Sequence, residues 1–176
     1  MNYHNITYPD MNNGDGLRVV LWLSGCSHHC YNCQNPQTWD VNSGIPFDES
    51  AKEELFRELD KDYISGLTLS GGDPLHEANL DGVLDLVNKI RLSFPNKTIW
   101  IYSGYQWNQI FNDGVYLTRD CAGWKRREIV RQCDVMIDGK YVDSLREPQL
   151  KWMGSSNQHV INVEKSMIKG KIVLWD

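Results

Sequence analysis

Cys26, Cys30 and Cys33 stand in the spacing C-x3-C-x2-C directly behind the apolar run Val19-Val20-Leu21-Trp22-Leu23. Thiolates bind zinc, copper(I) and iron-sulfur clusters, and a closed structural site normally collects four protein ligands. This loop offers three cysteines. Three thiolates can hold an iron-sulfur cluster with one iron left free for a small molecule, much as a catalytic zinc keeps a position for water or substrate. A closed zinc site stays open as an alternative: His28 and His29 lie between the cysteines, and Cys121 or Cys133 could fold back as a fourth ligand. A disulfide framework is the weakest option, because five cysteines is an odd count. No signal-peptide pattern follows Met1-Asn2-Tyr3-His4, and no apolar run approaches the ~20 residues of a membrane span. A cytoplasmic location is therefore expected, in a reducing compartment where thiolates are available to metal.

The elements that must position this loop alternate along the chain. Arg18–Leu23 reads as a strand, and 50–61 as a helix with Ala51, Leu55 and Leu59 on one face and Ser50 to Glu53 spaced as a capping box. Ile64–Leu69 is the next strand. Leu80, Val83, Leu84, Val87 and Ile90 mark an amphipathic helix that must stop before Pro95. Thr98–Tyr102 is a buried strand, 124–132 a helix, 134–137 a strand, and 159–163 and 171–175 are short strand candidates. Repeated β-α order predicts an α/β fold with a mainly parallel sheet, right-handed crossovers and ligands at the carboxyl ends of the strands. The cysteine loop follows the first of these strands, Ser70-Gly71-Gly72-Asp73-Pro74 the second, and Ser103-Gly104 the third, so all three should open on one edge.

At 176 residues, 41% hydrophobic and 23% charged, the chain has room for one globular domain, spanning residues 1–176. A formal charge of −5 argues against a nucleic-acid binder, since phosphate contacts rest on clustered Lys and Arg. The one basic run, Lys125-Arg126-Arg127, sits beside Glu128 and reads as a solvated helix face. Cys121 and Cys133 fall outside the cluster spacing and read as small buried hydrophobes.

Gly71 and Gly72 let backbone approach a ligand without a side-chain clash, although Gly-Gly-Asp-Pro is also good turn chemistry. On this reading a side chain added at Gly72 intrudes on the ligand. A three-cysteine loop one crossover before such a strand end resembles the radical S-adenosylmethionine enzymes, whose cluster is held by C-x3-C-x2-C and whose Gly-Gly-Glu/Asp-Pro strand end grips the methionine amino group. Within them, Leu23-Ser24-Gly25-Cys26-Ser27-His28-His29-Cys30 and Cys33-Gln34-Asn35-Pro36-Gln37-Thr38-Trp39 are similar to the activating proteins of anaerobic ribonucleoside-triphosphate reductases. So are Asn13-Gly14-Asp15-Gly16-Leu17-Arg18, Trp100-Ile101-Tyr102-Ser103-Gly104-Tyr105, Asp134-Val135-Met136-Ile137-Asp138-Gly139 and Gly154-Ser155-Ser156-Asn157-Gln158, in family order. The chain departs from the pattern at Asp15, where proline is common, and at His159, where arginine usually follows Asn-Gln.

The resemblance implies a 4Fe-4S cluster on Cys26, Cys30 and Cys33, with S-adenosylmethionine on its open iron. It implies cofactor contacts at Gly71, Gly72, Asp73 and Pro74, at Ser103 and Asp138 on later strand ends, and at Asn32, which stands where many of these enzymes carry an aromatic. Reductive cleavage of S-adenosylmethionine would yield a 5'-deoxyadenosyl radical, which takes hydrogen from a C-terminal glycine of the reductase's large subunit and leaves a glycyl radical. An electron donor such as flavodoxin is implied; nucleic acid and membrane are not. A complete eight-stranded barrel needs ~250 residues, so the implied fold is a partial, laterally open (β/α) barrel. A protein partner would then close the site, with Trp107, Tyr116, Trp124 or Trp152 as candidate anchors. Two rivals remain: an activase of another glycyl-radical enzyme such as formate lyase, and a non-catalytic zinc or iron-sulfur binding module.

Overall fold

The computed structural model of the protein describes residues 1–111 and 121–176; Tyr116 lies outside them. Seven strands form one sheet, in the order β3-β1-β2-β4-β5-β6-β7. The strands are β1 (Asn2–Asp10), β2 (Leu17–Leu23), β3 (Ile45–Pro46), β4 (Ile64–Gly71), β5 (Thr98–Tyr102), β6 (Val135–Asp138) and β7 (His159–Asn162). The helices are α1 (Glu49–Leu59), α2 (Leu80–Ser93), α3 (Trp107–Ile110), α4 (Ala122–Arg131) and α5 (Val163–Lys169).

β2, β4, β5 and β6 run parallel, as β-α alternation requires. The expectation of a mainly parallel sheet needs correction, because β1, β3 and β7 all join antiparallel and the sheet is mixed. β1 escapes the hydrophobic pattern because it is polar: only Tyr3 and Ile6 of its nine residues are buried. The 171–175 segment makes one isolated bridge, Leu174 to Ile161, rather than a strand. It nonetheless covers the outer edge of β7, with Asn162 N–H donating to the Val173 carbonyl at 2.8 Å and Trp175 N–H to Val160 at 2.8 Å.

Period-two alternation gives the sheet two unlike faces. Val19, Leu21, Leu23, Leu67, Leu69, Ile99 and Ile101 join one apolar cluster with Leu55 and Leu59 of α1, Val83, Val87 and Ile90 of α2, and Ile129 and Val130 of α4. α1 starts at Asp48, whose carboxylate accepts from Ala51 N–H at 3.0 Å, so the capping group lies upstream of the expected Ser50. The remaining side chains of the parallel strands build the second face, where Trp100, Val135, Ile137 and Val160 pack with Tyr102, Trp152 and Trp175.

Arg18 ties the amino ends of three strands together from inside that second face. Its guanidinium is fully buried and donates to Thr68 Oγ1 at 2.6 Å, the Leu67 carbonyl at 2.6 Å, and Thr98 Oγ1 and carbonyl at 3.0 and 3.1 Å. It also reaches the Asp15 carbonyl at 3.0 Å and lies over the Trp100 ring. Burial lowers its pKa to about 10, still well above neutrality. A lysine would carry the charge but offer its donors from a single point, not from a fork spanning β2, β4 and β5. Arg18→Lys is therefore expected to lower unfolding free energy by about 2 kcal/mol in urea titration, the scale of lost charge-assisted hydrogen bonds; an unchanged midpoint would contradict this role.

Candidate functional site

Where β2 ends, the chain leaves the sheet and returns through a closed neck. Gly25 N–H donates to the Thr38 carbonyl at 2.7 Å and Cys26 N–H to Trp39 at 3.0 Å, while a 3-10 turn at Pro36–Thr38 makes the return. All three cysteines of the loop are half-buried free thiols. Burial pushes Cys26 up to about 11 and raises Cys30, so both are protonated at neutral pH until something displaces the proton. Backbone N–H groups oppose that shift, His28 serving Cys26 and Tyr141 serving Cys30. Asn35 N–H donates to Cys33 Sγ at 3.4 Å.

The three strand ends do open on one edge. Cys26, Cys30, Cys33, Gly71, Gly72, Asp73 and Ser103 line one pocket of about 130 Å³. Gly71 and Gly72 make room there for backbone. With φ +98° at Gly71, a Cβ would stand 2.7 Å from Leu23 N and O, and one on Gly72 would stand 2.6 Å from the Gly25 carbonyl oxygen. Gly72 N–H donates to Leu23 and Asp73 N–H to Gly25, each at 2.7 Å. The expectation that a side chain at Gly72 meets the ligand is thus corrected: it meets the cysteine loop first.

Asp73 holds the edge together. Its buried carboxylate accepts from Leu75 N–H at 2.8 Å, Ser103 Oγ at 2.9 Å and Gly104 N–H at 3.1 Å, and His28 Nε2 lies 2.6 Å from Oδ2. The His28 ring then packs edge-on against Tyr105, whose face is covered by Arg126. His28 thus binds the cysteine loop to the ends of β4 and β5, and His29 stacks edge-on with Trp39.

Three of the expected cofactor residues, Asn32, Pro74 and Asp138, are not in the lining of this pocket. Asn32, at φ +53°, turns outward and donates to Asp143 Oδ2 at 3.2 Å. Pro74 is buried. Asp138 is engaged by the Trp107 N–H at 2.9 Å, the His159 N–H at 3.1 Å and His159 Nδ1 at 2.9 Å, so its carboxylate joins the loop after β5 to the start of β7. Cys133 is buried and donates to the Ile129 carbonyl; Cys121 caps α4 through Trp124 N–H. Trp107 is core, stacked on Phe111, and so is no surface anchor.

The pocket also contains residues that spacing alone did not single out: Trp39, Lys140, Tyr141 and Gln158. Each belongs to, or directly follows, a segment that carried the family resemblance. Gln158 takes Gly154 N–H at 2.9 Å and donates to the Gly139 carbonyl at 2.8 Å, joining its loop to the end of β6. A larger cavity of about 420 Å³ adjoins, sharing Cys33, Ser70, Tyr102, Tyr141 and Gln158 with the first. Its other lining includes Asn12, Asn13, Trp22 and Asn35, and no charged side chain among the described residues.

Residues 12–161 match the family described as a 4Fe-4S single cluster domain. The anaerobic ribonucleoside-triphosphate reductase-activating protein of Escherichia coli is 40% identical over 162 residues, covering 91% of this chain and 97% of that protein. The protein of the same name from Enterobacteria phage T4 is 40% identical over 160 residues (91% and 93% covered), and that of Haemophilus influenzae 35% over 160 (90% and 96%). The chain belongs to this family of activating proteins. The matched range includes the three-cysteine loop.

Within this member of the activating-protein family, removing the Asp73 carboxylate would leave His28, Ser103 and two backbone N–H groups without their acceptor. Asp73→Ala is expected to cost about 3 kcal/mol, the scale for removing one partner from a buried charged network. Urea unfolding measures it, and a loss under about 1 kcal/mol, the size of one ordinary hydrogen bond, would show that the three loops hold without this carboxylate.

Proposed function

We propose that this chain activates the large subunit of an anaerobic ribonucleoside-triphosphate reductase, with a 4Fe-4S cluster on Cys26, Cys30 and Cys33 and S-adenosylmethionine beside it. The observation that carries the reading is the shared pocket, where three soft thiol donors face the Gly71-Gly72 strand end. The residues fit the group. Thiolates are the ligands such clusters take, each sulfur already faces a backbone donor, and a buried Trp39 Nε1–H in the lining lacks an acceptor. When bound, the cluster and S-adenosylmethionine supply a reductively generated 5'-deoxyadenosyl radical that takes hydrogen from a glycine of the reductase.

This chain's own residues bind, orient and shield. Asp73, through His28 and Ser103, holds the cysteine loop against the ends of β4 and β5, which fixes the thiols relative to the exposed backbone of Gly71 and Gly72. Lys140, the one lysine or arginine in the pocket lining among the described residues, offers an ammonium to the carboxylate of S-adenosylmethionine. The adjoining cavity, with amide and aromatic walls and no charge, suits an extended, glycine-bearing segment of the partner, whose main chain it can hydrogen-bond.

The open sheet acts, on this reading, as a partial barrel within a single domain of residues 1–176, and the docked reductase excludes water from its open side. Trp152, which lines the larger cavity, is the anchor best placed for that contact. A flavodoxin-type donor in the cytoplasm supplies the electron. With a charge of −5, and no helix among the described residues long and apolar enough to cross a membrane, neither nucleic acid nor membrane enters the proposal.

Cys26→Ala, Cys30→Ala and Cys33→Ala should each abolish iron uptake on anaerobic reconstitution, whereas Cys121→Ala and Cys133→Ala retain it; dependence on either outer cysteine would refute the ligand assignment. The function itself is tested by incubating the reduced, reconstituted protein with S-adenosylmethionine and the reductase. A glycyl radical seen by electron paramagnetic resonance, and lost when only the reductase's acceptor glycine becomes alanine, is expected. A stable complex without a glycine-dependent radical would point to a binding module.

A further inference from the structure

Four buried side-chain polar atoms among the described residues lack a hydrogen-bond partner: Trp39 Nε1, Trp100 Nε1, Asn157 Oδ1 and Trp175 Nε1. Only Trp39 also lines the thiol pocket. Trp100 and Trp175 belong to the aromatic packing on the second face of the sheet, in contact with each other, and neither lines the thiol pocket. A buried N–H without an acceptor is costly and rare in folded proteins, and where one persists it calls for an explanation in the site's chemistry.

The position of Trp39 is built, not incidental. Its carbonyl accepts the Cys26 N–H at 3.0 Å, closing the neck of the cysteine loop, and the 3-10 turn before it sets its backbone. Its ring is held edge-on to His29 at a centroid distance of 4.8 Å. The indole is thereby anchored beside the first of the three cysteines, with its single donor unspent. Indole nitrogen can only donate, so whatever satisfies it must be an acceptor. The protein atoms around it provide none. The sulfides and thiolates of an iron-sulfur cluster are such acceptors, and hydrogen bonds to them stabilise the more electron-rich reduced state.

We propose that Trp39 Nε1–H donates to a sulfur of the bound cluster and thereby raises its reduction potential, bringing the cluster within reach of its electron donor. This rests on the cluster reading above. Trp39 does not ligate iron, so its role is separable from that of the cysteines.

The test uses the full chain, reconstituted anaerobically as wild type, as Trp39→Phe, and with the Trp39 indole replaced by its benzothiophene isostere, which keeps the shape and lacks the N–H. Potentiometric titration followed by electron paramagnetic resonance gives each midpoint potential. With iron content equal to wild type, both variants should titrate at a more negative potential. Both should also lose one exchangeable-proton coupling from the reduced cluster in electron-nuclear double resonance. If Trp39→Phe loses iron through repacking, the isostere carries the comparison alone. A variant that retains iron and titrates at the wild-type potential would overturn the inference while leaving the function intact. A wild-type chain that takes up no cluster would overturn the functional reading, and this inference with it.

Discussion

One buried carboxylate governs the geometry of the functional edge. A carboxylate removed from water is tolerated only when its oxygens are satisfied by donors. Asp73 meets that requirement with donors drawn from three different strand ends: His28 from the loop after β2, Leu75 from its own turn after β4, and Ser103 and Gly104 from the turn after β5. The cost of burying the acid is thereby converted into a constraint on where those loops sit. The glycines beside it follow from the same constraint, because the β4 end can bond to Leu23 and Gly25 only where Cβ atoms are missing. The cysteine loop takes its place from this junction and from the Gly25–Thr38 and Cys26–Trp39 bonds at its neck.

The two faces of the sheet divide the work. One is sealed by α1, α2 and α4 over an unbroken aliphatic layer, which makes the parallel strands rigid along their length. The other carries Arg18 toward the amino ends of the strands and Ser70 and Tyr102 toward the carboxyl ends, and so gains a polar, cavity-bearing surface. Ligand chemistry at the carboxyl edge of a parallel core is the general rule for open α/β sheets. The antiparallel additions β1, β3 and β7 extend the sheet on either side without disturbing that edge.

Much of this was legible in the sequence, for identifiable reasons. Apolar periodicity located β2, β4, β5, α1 and α2 because burial dominates those segments, as Val19, Leu55, Leu67 and Val87 show. The cysteines were legible because their spacing is local. β1 was not, since its pairing with β2 is a tertiary event that polar residues such as Asn2, His4 and Thr7 do not advertise. The partners of Asp138 are not legible either, since its two oxygens are met by Trp107 and His159, which only the fold brings near. Trp39 and Lys140 lie within or next to motifs and yet acquire meaning only once the loops converge on one pocket.

On this reading the junction presents three thiolates and leaves one position of the metal group open. Mössbauer spectroscopy of protein reconstituted with iron-57 tests it most directly. A four-iron cluster with one iron site distinct from the other three, and with that site alone changing when S-adenosylmethionine is added, is the expected result. Equivalent cysteine-ligated irons that ignore S-adenosylmethionine would contradict it.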